Sequence, residues 1–370
     1  MPTPEQILAG HRPTRNTSIK TVIPSPQELA AREPDVEIHK TDGGIEFVRT
    51  PEERFRNLAG FPFEVSQVEI DGLRMAYLDE GPRDGEIVVL AHGQPTYSYL
   101  YRKMIQPLVD AGHRVIAPDL IGLGQSDKPI DQRYHHYETH VANFNAFIDA
   151  LELEDITLLC QDWGSVIALR TVADRPETFA RVLLTNGSVG GWSIHPFYIP
   201  EPVELDEEAP EIMQALAPYM NEPFPVFFQA WINYTLTAAE FKPEQFIAAA
   251  CAGGGGPLSP DEVAAYGAPF PSLIYRAGPR TLPSMVCGIG VKNLVAWGRL
   301  AQFDKPFLHV AASRDLHFGT QEIQDQFVEL VPGAKGQQHA TLEAGHFIQD
   351  NAGEELAEVL IRFIADNPGN

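Results

Sequence analysis

Ile156-Thr157-Leu158-Leu159-Cys160-Gln161-Asp162-Trp163-Gly164-Ser165 is the stretch on which the fold turns. Its first five residues form an apolar run of strand length, and Ser165 to Ala173 has a helical pattern. A strand running straight into a helix leaves room only for a sharp turn, with Asp162 at its centre. This is the setting of a nucleophile elbow, in which a strained turn lifts one side chain above the carboxyl edge of a sheet. The residues two positions away on either side must be small, as Cys160 and Gly164 are. Where lipases and esterases place serine, this chain places a carboxylate. The plainer alternative is that Asp162 merely caps a helix starting at Gly164.

Working outward, short β-rich runs precede the elbow at Phe63 to Ile70, Leu73 to Leu78, Ile87 to Ala91 and Arg114 to Pro118. Tyr99 to Val109 and His140 to Leu151 read as helices, and Arg181 to Leu184 as a buried strand. The alternation implies a mostly parallel sheet covered by helices. Between residues 189 and 288 it stops, and Pro, aromatic and helical stretches take over, as expected of an inserted helical cap. It resumes with Phe307 to Ala312, Gln321 to Leu330, Ala340 to Leu342 and Glu354 to Ile364 as strand, helix, strand and helix. Residues 46–188 and 289–370 thus form the expected core. Residues 1–45, rich in Pro, Thr and charge, form an extension that either drapes over the body or is disordered.

Three further motifs favour the elbow over the cap. His92-Gly93-Gln94-Pro95 follows the strand ending at Ala91, where an α/β-hydrolase fold places one oxyanion-hole amide, that of Gln94; Trp163, after the elbow, supplies the other. Asp119 to Asp127, with Gly122 and Gly124, forms a tight supporting loop. Glu343-Ala344-Gly345-His346-Phe347 follows a short strand where that fold puts its catalytic histidine, and Asp315 lies just past the strand ending at Ala312. The order Asp162, Asp315, His346 is that fold's order of nucleophile, acid and base. The adjacent His135 and His136 lack such a context and read as surface residues. A carboxylate nucleophile displaces a leaving group from an sp³ carbon and leaves an alkyl ester. The histidine then deprotonates water for ester hydrolysis, held in its tautomer by the acid.

Fifty acidic against 27 basic residues give a net charge of −23, which disfavours nucleic acid and anionic membrane partners. No apolar run approaches the ~20 residues of a membrane helix, and the first ten residues show no secretory pattern, so a cytoplasmic location is expected. Cys160, Cys251 and Cys287 are too few and scattered for a disulfide framework or a metal site and read as reduced. No cofactor or metal is expected; the partners are a small molecule and water.

These residues resemble the haloalkane dehalogenases, in particular the branch whose catalytic acid lies late in the chain. The resemblance runs from about Phe47 to Ala365. It rests on Arg49-Thr50-Pro51-Glu52-Glu53-Arg54-Phe55, the run His92 to Lys103, Ser126-Asp127-Lys128-Pro129, the elbow, and Ala268-Pro269-Phe270-Pro271 with Tyr275, Ala277 and Gly278. It implies that the departing halide lies between two ring nitrogens, from Trp163 and a cap tryptophan matched by Trp231, with Trp192 the weaker candidate. Core packing is the bland role for any cap tryptophan. Gln94 stands where relatives usually have Glu or Asn, and Ser165 where Gly is commoner.

An epoxide hydrolase is the alternative: it shares the fold and the aspartate but needs paired cap tyrosines as proton donors, for which Tyr219, Tyr234, Tyr266 and Tyr275 are available. Gln161 and Gln94 stand against it, because those enzymes usually have His and an aromatic residue there. A fluoroacetate dehalogenase would show Arg beside the nucleophile, where this chain has Trp163. A third reading, a catalytically silent receptor of the same fold, is disfavoured by the intact acid, base and nucleophile.

Overall fold

A computed structural model describes residues 24–190, 216, 219, 224–289 and 292–369 of the chain. Its central sheet has eight strands: β1 Val65–Ile70, β2 Leu73–Glu80, β3 Ile87–Ala91, β4 Arg114–Pro118, β5 Ile156–Gln161, β6 Phe179–Gly187, β7 Phe307–Ala312 and β8 Ala340–Leu342. Their spatial order is 1-2-4-3-5-6-7-8. β1 and β2 run antiparallel to their neighbours, whereas β4, β3 and β5 to β8 pair in parallel.

The apolar runs follow from burial on both faces. Val89, Ala91, Leu158, Cys160, Val182 and Leu184 face one core; the intervening Val88, Leu90, Leu159 and Leu183 face the other. This is the two-residue strand period. In chain order the helices are α1 Pro26–Arg32, α2 Arg102–Asp110, α3 Tyr137–Ala150, α4 Asp162–Asp174, α5 Phe224–Thr237, α6 Pro243–Gly253, α7 Pro260–Gly267, α8 Ala277–Thr281, α9 Val286–Ile289, α10 Lys292–Leu300, α11 Gln321–Leu330 and α12 Ile348–Asp366. α3, α4 and α10 cover the first core through Phe144, Phe147, Ile167, Leu169, Trp297 and Leu300. α2 and α12 cover the second through Met104, Leu108, Leu356 and Leu360. Among the described residues no helix is long and apolar enough to cross a membrane.

The described part of the N-terminal extension drapes over the body. Ser25 and Glu28 form a reciprocal capping box that starts α1, satisfying N–H groups the helix would otherwise leave open. Leu29 packs with Ile274 and Tyr275 in a small satellite core, and Glu33 accepts from the Ile274 N–H at 3.2 Å and from the Ser272 hydroxyl. His39–Lys40 then pairs with Glu46–Val48, which pairs with Lys128–Pro129.

The segments that the resemblance picked out interlock here. The Thr50 hydroxyl donates to the Pro269 carbonyl at 2.7 Å, Arg54 Nε to the Ala268 carbonyl at 2.8 Å, and Arg49 pairs with the buried Asp127 at 2.8 Å. His135 departs from the surface expectation. Its ring is buried, stacked on His140 with centroids 5.5 Å apart and packed against Gly122, and burial lowers its pKa to about 4, so it is neutral. Its stacking partner lies at the start of α3, which nothing around His135 signals; only His136 is exposed. Cys160 and Cys251 are free and buried.

Candidate active site

Asp162 sits where β5 becomes α4, with φ +49°, a left-handed conformation in which only short polar side chains are reasonably tolerated. The helix begins at Asp162, not Gly164, with Gln161 in the N-cap position, and the Asp162 carboxylate instead accepts the Gln94 backbone N–H at 2.7 Å. Two glycines permit this geometry. A Cβ on Gly93 would collide with the Asp162 carboxylate, and one on Gly164 with the carbonyls of Ala91 and His92. Ser165 secures the turn from inside: its hydroxyl donates to the Asp162 carbonyl at 2.6 Å and accepts the Ser188 N–H at 2.9 Å, tying the elbow to the end of β6.

The loops after β7 and β8 bring the other two residues to the same edge. His346 Nδ1 lies 2.8 Å from Asp315 Oδ2, and His346 Nε2 lies 3.5 Å from Asp162 Oδ2. Asp315 is fixed in turn by the His317 and Phe318 N–H groups, at 3.0 and 3.1 Å from Oδ1. Burial raises the pKa of Asp315, but the facing imidazole and these hydrogen bonds outweigh it and hold the group below the usual carboxylate range. Burial likewise lowers the pKa of His346. The charge of Asp315, hydrogen bonds to both carboxylates and the charge of Asp162 together reverse that and push it up to about 10. The two carboxylates thus favour the protonated form of His346.

Two supporting residues had no local signal in the sequence. Asn186, at the end of β6, donates to the carbonyls of Gly345 and His346 at 3.0 Å each and accepts the Ala312 N–H at 3.1 Å, joining the acid loop to the histidine loop. Asn351 accepts the Gly345 N–H at 3.0 Å and donates to the Cys251 carbonyl at 3.1 Å. His92 braces the loop that carries Gln94: Nε2 accepts the Leu120 N–H at 3.0 Å, so Nδ1 bears the proton and donates to the Gly93 carbonyl at 2.8 Å. Asp119 holds the glycine loop, accepting from the Ser98 and Gln125 N–H groups at 2.7 Å each.

Helices inserted between β6 and β7 meet this edge. Gln94 Nε2 donates to the Pro279 carbonyl at 2.6 Å, so its side chain is bound to α8. On α5, Phe227 stacks on His317 at 4.4 Å between centroids. One turn further on, Trp231 stacks on Phe246 at 4.2 Å, and Phe246 packs edge-on against Phe347, beside the histidine. Trp163 and Trp231 are each 4% exposed. Trp192 lies outside the described residues. Of the tyrosines, Tyr266 donates its hydroxyl to Asp350 at 2.5 Å and Tyr275 belongs to the satellite core with Leu29. Tyr234 stacks on Trp231, and Tyr219 packs against the same aromatic cluster.

A mostly parallel sheet whose elbow faces a histidine–carboxylate pair defines an α/β hydrolase, and the family model for the alpha/beta hydrolase fold matches residues 86–249. Within that class the chain belongs to the haloalkane dehalogenases. It is 36% identical over 336 residues to the haloalkane dehalogenase of Psychrobacter cryohalolentis, covering 88% of this chain and 100% of that one. It is 37% identical over 327 residues to that of Mycobacterium marinum, covering 86% and 99%. Its structure is similar to haloalkane dehalogenase DpaA of Paraglaciecola agarilytica, a tetramer, with TM-score 0.67, 31% identity and coverage of 85% and 97%.

Proposed function

We propose that this enzyme hydrolyses haloalkanes to alcohol and halide through an alkyl ester on Asp162. The observation that bears most weight is the placement of the Asp162 carboxylate between the Gln94 N–H and His346 Nε2, with Asp315 on the far side of the imidazole. The carboxylate attacks the sp³ carbon, the C–O bond forms as the carbon–halogen bond breaks, and the halide leaves with the bonding pair. Esterification removes the negative charge of Asp162, the pKa of His346 falls, and its Nε2 proton passes to solvent. The neutral imidazole then takes a proton from water as the hydroxide adds to the ester carbonyl. The resulting oxyanion is held by the backbone N–H groups of Gln94 and Trp163. Collapse expels the alkoxide, which His346 protonates, and the carboxyl group ionises again.

Residues 189–288 act in this scheme as the cap, and the indole N–H groups of Trp163 and Trp231 hold the departing halide. Negative charge grows on the halogen in an apolar pocket, so donors aimed there stabilise the transition state more than the substrate. Trp231→Phe keeps an aromatic ring against Phe246 and removes the N–H together with the five-membered ring. It should slow bromide release about 10²-fold, weaken halide quenching of tryptophan fluorescence and leave the melting temperature nearly unchanged. Normal turnover and quenching would show that Trp231 only packs.

The direct test is a halide-release screen with short bromo- and iodoalkanes beside a styrene oxide assay. Halide release without diol formation is the expected result; diol formation without halide would replace this reading with the epoxide one. Saturable binding with no product would make the protein a receptor.

A further inference from the structure

Gln161, the residue before Asp162, is fully buried at the end of β5, and its side chain lies against the catalytic histidine. Its Nε2 is 3.2 Å from the His346 carbonyl oxygen and 3.1 Å from His346 Nε2, while its Oε1 is buried without a partner. The amide's orientation follows from these contacts. Turned over, Oε1 would face a carbonyl oxygen, which offers no proton, so the nitrogen faces His346. One N–H is directed to the His346 carbonyl and the other to the imidazole Nε2.

An N–H donor at Nε2 is compatible only with an imidazole whose Nε2 has a free lone pair. Asp162 Oδ2, 3.5 Å from the same nitrogen, favours the opposite state, the imidazolium. Two neighbours therefore compete for one nitrogen. In the resting enzyme the charge of Asp315 on Nδ1, with the hydrogen bond and charge of Asp162 at Nε2, outweighs burial and favours the imidazolium. His317, on the Asp315 loop, and His92 and Tyr101, beside Asp162, are further titratable groups around this site, and burial favours the neutral form of each. Once Asp162 is an ester its charge is gone, and Gln161 is left as the polar partner at Nε2.

Resting on the ester mechanism above, we infer that Gln161 is a positioning residue that holds His346 in its neutral, proton-accepting form after Asp162 is alkylated. Hydrogen bonding to the neutral form of a base disfavours the charged form, and here the donor selects the state required for attack by water. The same contact keeps the ring plane fixed while its charge changes.

Asp162→Asn provides a stable, uncharged stand-in for the ester. In that background, histidine-selective ¹⁵N NMR reads the midpoint of His346 directly. Adding Gln161→Met, which keeps length and removes the donor, should raise the midpoint by about one pH unit, a tenfold change in protonation ratio. Gln161→Glu, which offers an acceptor instead, should raise it further and serves if the Met chain does not fold. With Asp162 intact, Gln161→Met should retain the initial bromide burst while ester hydrolysis slows about tenfold at pH 7 and recovers at higher pH. An unchanged His346 midpoint, or equal slowing of both steps with an unaltered pH profile, would overturn the inference and leave Gln161 as packing. If the wild-type chain gives neither a burst nor an adduct, the ester mechanism itself fails, whereas the NMR arm still reports the Gln161 contact.

Discussion

His346→Gln should convert this enzyme into one that reacts once and stops. The substitution leaves Asp162 on its elbow with the Gln94 N–H 2.7 Å from Oδ1, so the carboxylate keeps both its position and its charge. Displacement of bromide needs no proton transfer and should proceed. Hydrolysis loses its general base, which costs roughly 10²–10⁴-fold, and the ester accumulates. Mass spectrometry after exposure to a bromoalkane should find one alkyl group on the peptide containing Asp162, with about one bromide released per chain. Wild-type enzyme turning over in ¹⁸O water should instead incorporate label into the Asp162 carboxylate, because the water oxygen enters at the ester carbonyl. Label confined to the alcohol at single turnover would mean direct attack of water on the haloalkane and would exclude the ester.

Arg102→Met should produce the largest loss of stability. Arg102, at the start of α2, is buried with Nη2 2.6 Å from both Glu262 Oε1 on α7 and Asp350 Oδ1 on α12, and its guanidinium lies 4.3 Å from the Tyr99 ring centroid. It thus joins an inserted helix to the helix that follows His346. Burial raises the carboxyl pKa of Asp350 above the usual range even with Arg102 present. Removing the cation strands a buried carboxylate, a change worth about 3–5 kcal/mol. The pH dependence has a definite sign. With its folded pKa raised further, Asp350 takes up a proton as the pH falls, so the variant should be nearest wild type at pH 5 and most destabilised at pH 8. Urea unfolding at the two pH values checks this. Asp350→Asn added to Arg102→Met should recover much of the loss, because no unpaired charge then remains. A penalty below about 1 kcal/mol at pH 8 would show that water screens Asp350 as it does an exposed ion pair.

The strands Ile87–Ala91, Arg114–Pro118, Phe307–Ala312 and Ala340–Leu342 have the bounds that their apolar runs suggested, since each run is closed by turn residues. α12 was harder to read. It starts at Ile348, but the helix breaks at Ala352 (φ −140°, ψ 39°), so the expected start at Glu354 matches the longer segment past the break, and what went unread is the short first turn, whose Gln349 and Asp350 are polar yet buried. The extension was ambiguous for a related reason: α1 buries little beyond Leu29, and its place depends on Glu33 meeting the backbone at Ile274. The motifs around Arg49, Asp127 and Pro269 were recognisable without being interpretable, since their meaning lies in contacts with one another.

What the sequence determined by itself was local and ordered: the strand–turn–helix that raises Asp162, the small residues that let it form, and the succession of Asp162, Asp315 and His346. Those features follow from side-chain period, turn chemistry and chain order, all of which act over a few residues. Tertiary structure alone decided that Asn186 would tie the acid loop to the histidine loop, that Arg102 would neutralise Asp350, and that the amide of Gln161 would face His346 Nε2. Each depends on one polar side chain meeting distant segments, without repeat or spacing, and becomes visible only when the fold brings those segments within hydrogen-bonding reach.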